Sequence, residues 1–130
     1  MRNGEPTGFI VAALFHDIGD LLAPHNHSAV ATDILVPFVS VETEWAIPQH
    51  GLFRGYNCFH HLGGDREARK LHKASPHFDR CVWFCAEYGQ NCFDHAYDSL
   101  DIEEFVPLVD EILARPSRLG QEWEMYLAPT

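Results

Sequence analysis

The most constraining feature of this sequence is a run of seven apolar residues, Phe9 to Phe15, that leads directly into His16 and Asp17. A helix that is apolar on every side belongs in the middle of a core. Burying a carboxylate there costs several kcal/mol unless a positive group compensates its charge, and a metal ion is the simplest compensation. Since consecutive residues on a helix point about 100° apart, we expect the imidazole to bind one metal and the carboxylate to bridge to a second. A pair that only caps the helix or forms a salt bridge is the alternative.

The composition is that of a single, ordinary globular domain. The chain has 130 residues, of which 46 % are hydrophobic and 22 % are charged, and this size is enough to bury a core. The longest apolar run has seven residues, far below the ~20 that a membrane helix needs, so we expect no membrane partner and a cytoplasmic location. The formal net charge of −10 argues against a nucleic-acid partner, and an anionic substrate would need a local basic patch.

Helix signals recur along the chain without any β-alternation, so the sequence predicts an all-α fold. The predicted helices start at Pro6-Thr7, at His25 to Ser28, at Ser40 (ending near His50), at Asp65, at Ser75-Pro76 (reaching Tyr88) and at Asp101 (ending at Arg115-Pro116). An aromatic, glycine-rich loop is predicted from Gly51 to Gly64. We divide the chain into a helical domain, residues 1–116, and a C-terminal tail, residues 117–130.

The four cysteines form no CxxC pair, and two of them fall on the inward face of a predicted helix. We interpret them as reduced core thiols, with zinc binding or a disulfide as the alternatives. The cysteines are Cys58, Cys81, Cys85 and Cys92.

Nine histidines are many for so short a chain, and two of them complete a candidate ligand set with Asp17. His27 lies ten residues after Asp17 at the start of a predicted helix, and His50 lies near the end of the following one. Two imidazoles and one carboxylate suit a redox-active divalent iron better than calcium or magnesium, which prefer oxygen ligands. For each histidine the alternative is an ordinary hydrogen-bonded residue, and His25 competes with His27 for the role.

The motif AALFHDIGDLL resembles the His-Asp signature of the HD-domain superfamily, which contains helical metal-dependent phosphohydrolases and oxygenases. The later segments QHGLFRGYNCFHHLGGDREARK, SPHFDRCVWFCAEYGQNCF and EEFVPLV are similar to the HD-domain oxygenases that use a mixed-valence di-iron pair, namely inositol oxygenase and especially the organophosphonate-cleaving oxygenases. The resemblance covers most of residues 9 to 116. It implies an HD-type helical bundle around an iron site, with four metal ligands: His16, Asp17, His27 and His50.

The same resemblance implies a substrate-binding role for Arg54, which stands where the phosphonate-cleaving enzymes place a polar or basic residue. Its guanidinium would hold a phosphonate or carboxylate through two hydrogen bonds. His61, in the predicted aromatic loop, is a second candidate for the pocket, and a plain surface histidine is the alternative.

Two departures from the family pattern limit the expected site. The chain begins just before the HD helix, so the family's upstream helix and its histidine have no counterpart, and Gly89 aligns with the family's last ligand, an aspartate. In the family both of these ligands serve the iron that also binds His16. The resemblance therefore implies half of a di-iron site, a single-metal centre on Asp17, His27 and His50.

Three functions follow as expectations. The first is an iron-dependent oxygenase that acts on a small organophosphonate or similar anionic substrate with oxygen. The second is a metal-dependent phosphohydrolase using manganese, magnesium or cobalt, and the third is a truncated, catalytically impaired binding module. Without the upstream helix, one flank of the Phe9 to Phe15 helix would be uncovered, which predicts a homo-oligomer unless the tail around Trp123 and Tyr126 covers it.

Overall fold

The protein is a bundle of five α-helices, seen in a computed structural model that describes residues 4–119 apart from the side chain of Cys92. The helices are α1 (Thr7–Phe15), α2 (His27–Leu35), α3 (Val41–Cys58), α4 (Phe78–Phe84) and α5 (Val106–Leu113). Short 3-10 turns and one π-helical turn, Cys85–Gln90, lie between them. Residues 4–119 contain no strand, so the all-α prediction is confirmed.

Helix α3 is the longest helix and packs against α1, α2 and α4. Ser40 caps it as predicted, because its Oγ accepts a hydrogen bond from the Thr43 N–H at 3.2 Å. The prediction that the helix ends near His50 was wrong, since α3 continues to Cys58. The ring of Pro48 is exposed on the solvent side, and the complete burial of Phe53 one turn beyond it stabilises the helix across that proline.

Helix α1 lies in the middle of the bundle and packs against α2, α3 and α5. Four consecutive residues from Phe9 to Ala12 are buried, as expected for an all-round apolar helix. The ring of Phe9 also meets the ring of Phe84 edge-on at 5.1 Å. The large exposed apolar residues near this helix lie in the turn after it, namely Ile18, Leu21 and Leu22. The homo-oligomer stays a prediction.

The turn after α1 corrects the expected position of the His-Asp pair. The α-helix ends at Phe15, so His16 and Asp17 do not lie within it. They belong to a series of turns in which Ile18 N–H donates to Phe15 O at 2.9 Å and Asp20 N–H donates to Asp17 O at 3.0 Å. The chain tightens here because the buried Gly19 packs directly against the start of α2.

Helix α4 begins at Phe78, two residues after the Pro76 start that the sequence predicted, and His77 occupies its cap position without a side-chain capping bond. Ser75 Oγ accepts a hydrogen bond from the His77 N–H at 3.2 Å in the turn before the helix. Its α-helical part ends at Phe84, and the chain continues to Gln90 as the π-helical turn. Cys81 and Cys85 are buried free thiols, as predicted. They donate to backbone carbonyls of α3 and therefore act as core residues.

The two remaining predicted helices differ from expectation. The charged segment after Asp65 forms only a 3-10 turn, Ala68–His72. Asp101, where the last helix was predicted to start, forms no side-chain capping bond, and a 3-10 turn leads into α5. After both Asp65 and Asp101 the chain forms a 3-10 turn, where the sequence predicted the start of an α-helix.

The described start of the tail returns to the junction of α2 and α3, where the Arg118 N–H donates to Pro37 O at 2.8 Å. Trp123 and Tyr126 lie outside the described residues, so their proposed covering of α1 stays a prediction. Within residues 4–119, no helix has the length and apolarity needed to cross a membrane.

Candidate metal centre

Four predicted ligands converge from three parts of the chain. His16 and Asp17 come from the turn after α1, His27 is the first residue of α2, and His50 lies on the inner side of α3. The side chain of His50 is only 1 % exposed, whereas that of Asp17 is 38 % exposed. The cluster therefore has a buried floor at His50 and is open to solvent on the side of Asp17.

Three ligand atoms of this cluster lie at the mutual distances expected around one metal ion. Asp17 Oδ1 is 3.1 Å from His50 Nε2 and 3.4 Å from His27 Nε2. The two Nε2 atoms are 3.2 Å apart. Ligands at 2.0–2.2 Å from a metal, separated by tetrahedral or octahedral angles, lie about 2.9–3.5 Å from one another. The three atoms fit a single ion without rearrangement.

The imidazole rings are held in the orientation that a metal requires. Each Nδ1 lies next to a backbone carbonyl three residues earlier: His16 next to Ala13 O at 2.7 Å, His27 next to Pro24 O at 3.1 Å, and His50 next to Ile47 O at 2.6 Å. A carbonyl only accepts hydrogen bonds, so each Nδ1 carries the proton. In the neutral ring Nε2 then has a free lone pair, which is how metal-binding histidines are usually fixed.

The electrostatics of the cluster favour a cation between the rings. Burial lowers the pKa of His50, and the neighbouring His16 and His27 act in the same direction, while the Ile47 carbonyl and Asp17 oppose them. His50 is therefore neutral at pH 7 and presents a lone pair towards Nε2 of His27. At 3.2 Å a proton can join the two nitrogens in a hydrogen bond, and a metal ion could take the place of that proton.

The second carboxylate oxygen of Asp17 has different neighbours. Asp17 Oδ2 lies 3.0 Å from His16 Nε2 and 3.4 Å from Nη1 of Arg54. His16, Asp17 and His50 form one group whose geometry suits a metal, and Asp17, Asp20 and His27 form another. Asp17 thus has Oδ1 beside His27 and His50 and Oδ2 beside His16, and the bridging position expected for it stays a prediction.

Asp20 is a polar contact that the sequence reasoning missed. Its Oδ1 lies 3.1 Å from Nδ1 of His27, so it stands behind the ring and helps to orient it. The sequence could have indicated Asp20, because it lies three residues after Asp17 in the same series of turns. His25, which competed with His27 for the ligand position, is exposed.

The two predicted substrate-binding residues have different locations. Arg54, one turn after His50 on α3, lies at the cluster and touches Asp17. His61 is exposed in the 3-10 turn after α3, where its ring lies tilted by 42° against that of His60 with centroids 3.9 Å apart. No hydrogen bond or ion pair within residues 4–119 joins His61 to the cluster.

Gly89, which aligns with the missing aspartate, is buried in the π-helical turn beside the side chain of Arg54. Comparisons of this chain with protein-family models, with curated proteins and with solved structures find no match.

Proposed function

We propose that the protein is a mononuclear iron-dependent oxygenase of the HD-domain type that acts on a small organophosphonate or similar anionic substrate. The observation that carries this proposal is the convergence of Asp17 Oδ1 with the Nε2 atoms of His27 and His50 at 3.1–3.4 Å. Two histidines and one carboxylate that leave the remaining positions open are the ligand set of non-haem iron oxygenases.

The ligands supply the conditions that such chemistry needs. A bound ferrous ion supplies oxygen activation. His50 forms a dry floor, the carbonyl contacts hold His27 and His50 in the metal-binding tautomer, and Asp17 provides the negative charge. The exposed side of Asp17 leaves access for a small substrate.

Arg54 supports an anionic substrate in the same place. Its side chain is 30 % exposed at the edge of the cluster, and its guanidinium carries five N–H donors in a fixed plane that match a phosphonate or carboxylate. The N–H groups of Arg54 that do not face Asp17 are suited to orient the anionic group of a substrate beside the ligands.

The second candidate function is metal-dependent phosphate hydrolysis. The observation that favours it is the shared carboxylate, because Asp17 belongs to both groups that suit a metal, and two ions bridged in this way lower the pKa of a water between them. Phosphate release with manganese, magnesium or cobalt, without oxygen consumption, would identify this function.

The first test is metal content per chain after anaerobic loading with ferrous iron and removal of unbound metal. We expect about one iron per chain in the wild type. His27→Ala and His50→Ala should weaken binding by at least about 100-fold, the upper end of the loss caused by removing an outer partner of a ligand. A chain that binds iron is then assayed for oxygen consumption with small phosphonates.

The matched control is His25→Ala, because His25 is an exposed histidine only two residues from His27, and this variant should keep the iron content of the wild type. An iron-free wild type would contradict both enzyme functions and leave the non-catalytic binding module. Equal iron content in His25→Ala and His27→Ala would contradict the proposed ligand set.

A further inference from the structure

We propose that Arg54 occupies the position of a second cation at Asp17 and so restricts the centre to one metal ion, and that Gly89 is the residue that makes room for it. The proposal rests on the metal centre proposed above. It assigns Arg54 a positioning role that determines how many ions the site holds.

Asp17 Oδ2 lies close to both His16 and Arg54. This oxygen faces His16 Nε2 at 3.0 Å, and together with His50 these residues form a group with metal-binding geometry. The same oxygen is approached by Nη1 of Arg54 at 3.4 Å. The guanidinium of Arg54 is therefore the positive group next to Asp17 Oδ2, whereas His27 lies next to Oδ1.

The side chain of Arg54 lies against Gly89, where no side chain fills the space. A Cβ atom added at Gly89 would lie 3.2 Å from Cδ of Arg54 and 3.4 Å from both Cγ and Nε. Any longer side chain at this position would have to displace the arginine stem. Gly89 is buried in a π-helical turn, a feature often found at functional sites, and that turn packs against α3.

The positive charge of Arg54 also opposes a second ion. A guanidinium stays protonated at every accessible pH, so Arg54 provides a permanent positive charge at Asp17. A divalent ion bound to Asp17 Oδ2 and His16 would meet this charge at close range, where two like charges repel strongly. Arg54 therefore balances one negative charge of the cluster and excludes a second metal.

The experiment measures Mn²⁺ stoichiometry by equilibrium dialysis, together with the electron paramagnetic resonance spectrum of the bound ions. The wild type should bind one Mn²⁺ per chain and give the spectrum of an isolated ion. The double variant Arg54→Ala/Gly89→Asp removes the guanidinium and adds a carboxylate in the vacated space. It should bind two ions per chain and give the spectrum of a spin-coupled pair.

Arg54→Ala alone provides an independent readout. Removing one positive charge a few ångströms from the bound ion should tighten the first Mn²⁺ by about tenfold. Arg115→Ala is the control, because it also removes one positive charge but from an exposed pair with Glu111 on α5. It should leave the affinity unchanged.

The outcomes separate this inference from the proposed function. One ion per chain in both the wild type and a folded double variant, as judged by circular dichroism, would overturn the inference and leave the single-metal centre intact. Two ions in the wild type would also overturn it. If the double variant does not fold, equal affinities in Arg54→Ala and Arg115→Ala overturn it, and a wild type that binds no ion overturns the inference together with the centre.

Discussion

At the scale of single residues, the histidines of the cluster show how local backbone geometry can fix the tautomer of an imidazole. His50 is buried, and its Nδ1 lies 2.6 Å from the Ile47 carbonyl, one turn earlier on the same helix. The position of the carbonyl decides which nitrogen carries the proton, so Nε2 is left with its lone pair facing Asp17.

This arrangement predicts the tautomer of His50. In the metal-free protein at pH 7, two-bond proton–nitrogen correlation spectra should show His50 as the neutral Nδ1–H form, because burial lowers its pKa and the carbonyl requires a proton on Nδ1. Addition of Zn²⁺ should shift the Nε2 resonance of His50. The exposed His61 is the control and should keep its shifts. An Nε2–H tautomer at His50 would contradict the ligand geometry.

At the scale of secondary-structure elements, the position of His27 depends on how the turn after α1 meets the start of α2. A Cβ atom at Gly19 would lie 2.8 Å from both Cα and O of His27 and 2.9 Å from Cβ of Val30. These distances are shorter than real contacts, and backbone atoms cannot rotate away. Because Gly19 has no side chain, the turn packs directly against the start of α2, and this close contact holds both elements in place.

We expect Gly19→Ala to destabilise the protein by about 1–3 kcal/mol, the usual cost of overpacking, and to weaken metal binding because His27 is displaced. Gly51→Ala is the matched control, since Gly51 lies within α3 and a Cβ there meets nothing within 4 Å. It should stabilise the helix by about 0.5–1 kcal/mol and leave metal binding unchanged. Urea denaturation and metal titration measure both effects. Equal stabilities of the two variants would show that the turn adjusts freely.

The elements also show what could be predicted from the sequence. The cap at Ser40 and the apolar run of α1 are local patterns, and the structure agrees with them. The extension of α3 beyond His50 was missed, because it depends on the burial of Phe53 against other helices, which no local pattern contains. In the cluster, His16 and Asp17 could be singled out from their neighbours in the chain. The contact of Arg54 with Asp17, 37 residues away, emerges only when α3 meets the turn after α1. The space left by Gly89 emerges only when α3 packs against the π-helical turn.

At the scale of the whole molecule, one aromatic cluster ties the start of the chain to α4 and the π-helical turn. The ring of Tyr88 lies edge-on to Phe9, Trp83 and Phe84, with centroids 5.4–6.0 Å apart. Arg80 stacks on Phe9 at 4.1 Å and forms an ion pair with Glu5. Burial, together with the negative charge of Glu5, raises the pKa of Tyr88 to about 12.

This shift predicts how the stability of the fold depends on alkaline pH. The unfolded chain releases the Tyr88 proton near pH 10 and the folded protein only near pH 12, so unfolding becomes more favourable as the pH rises through this interval. The contribution of Tyr88 is fully present below about pH 10 and is lost towards pH 12. Tyr88→Phe keeps the ring contacts and removes the titrating hydroxyl. Its free energy of unfolding should therefore fall less between pH 10 and 12 than that of the wild type.

The measurement is a series of urea denaturation curves for both proteins from pH 8 to 12. Below pH 10 the two free energies of unfolding should run parallel, and this range is the internal control, because every other titrating group is common to both chains. Parallel curves up to pH 12 would mean that the hydroxyl of Tyr88 is as well solvated in the folded protein as in the unfolded chain. The cluster that joins α1 to α4 would then have to be open to water at that end, in contrast to the packed arrangement of its rings.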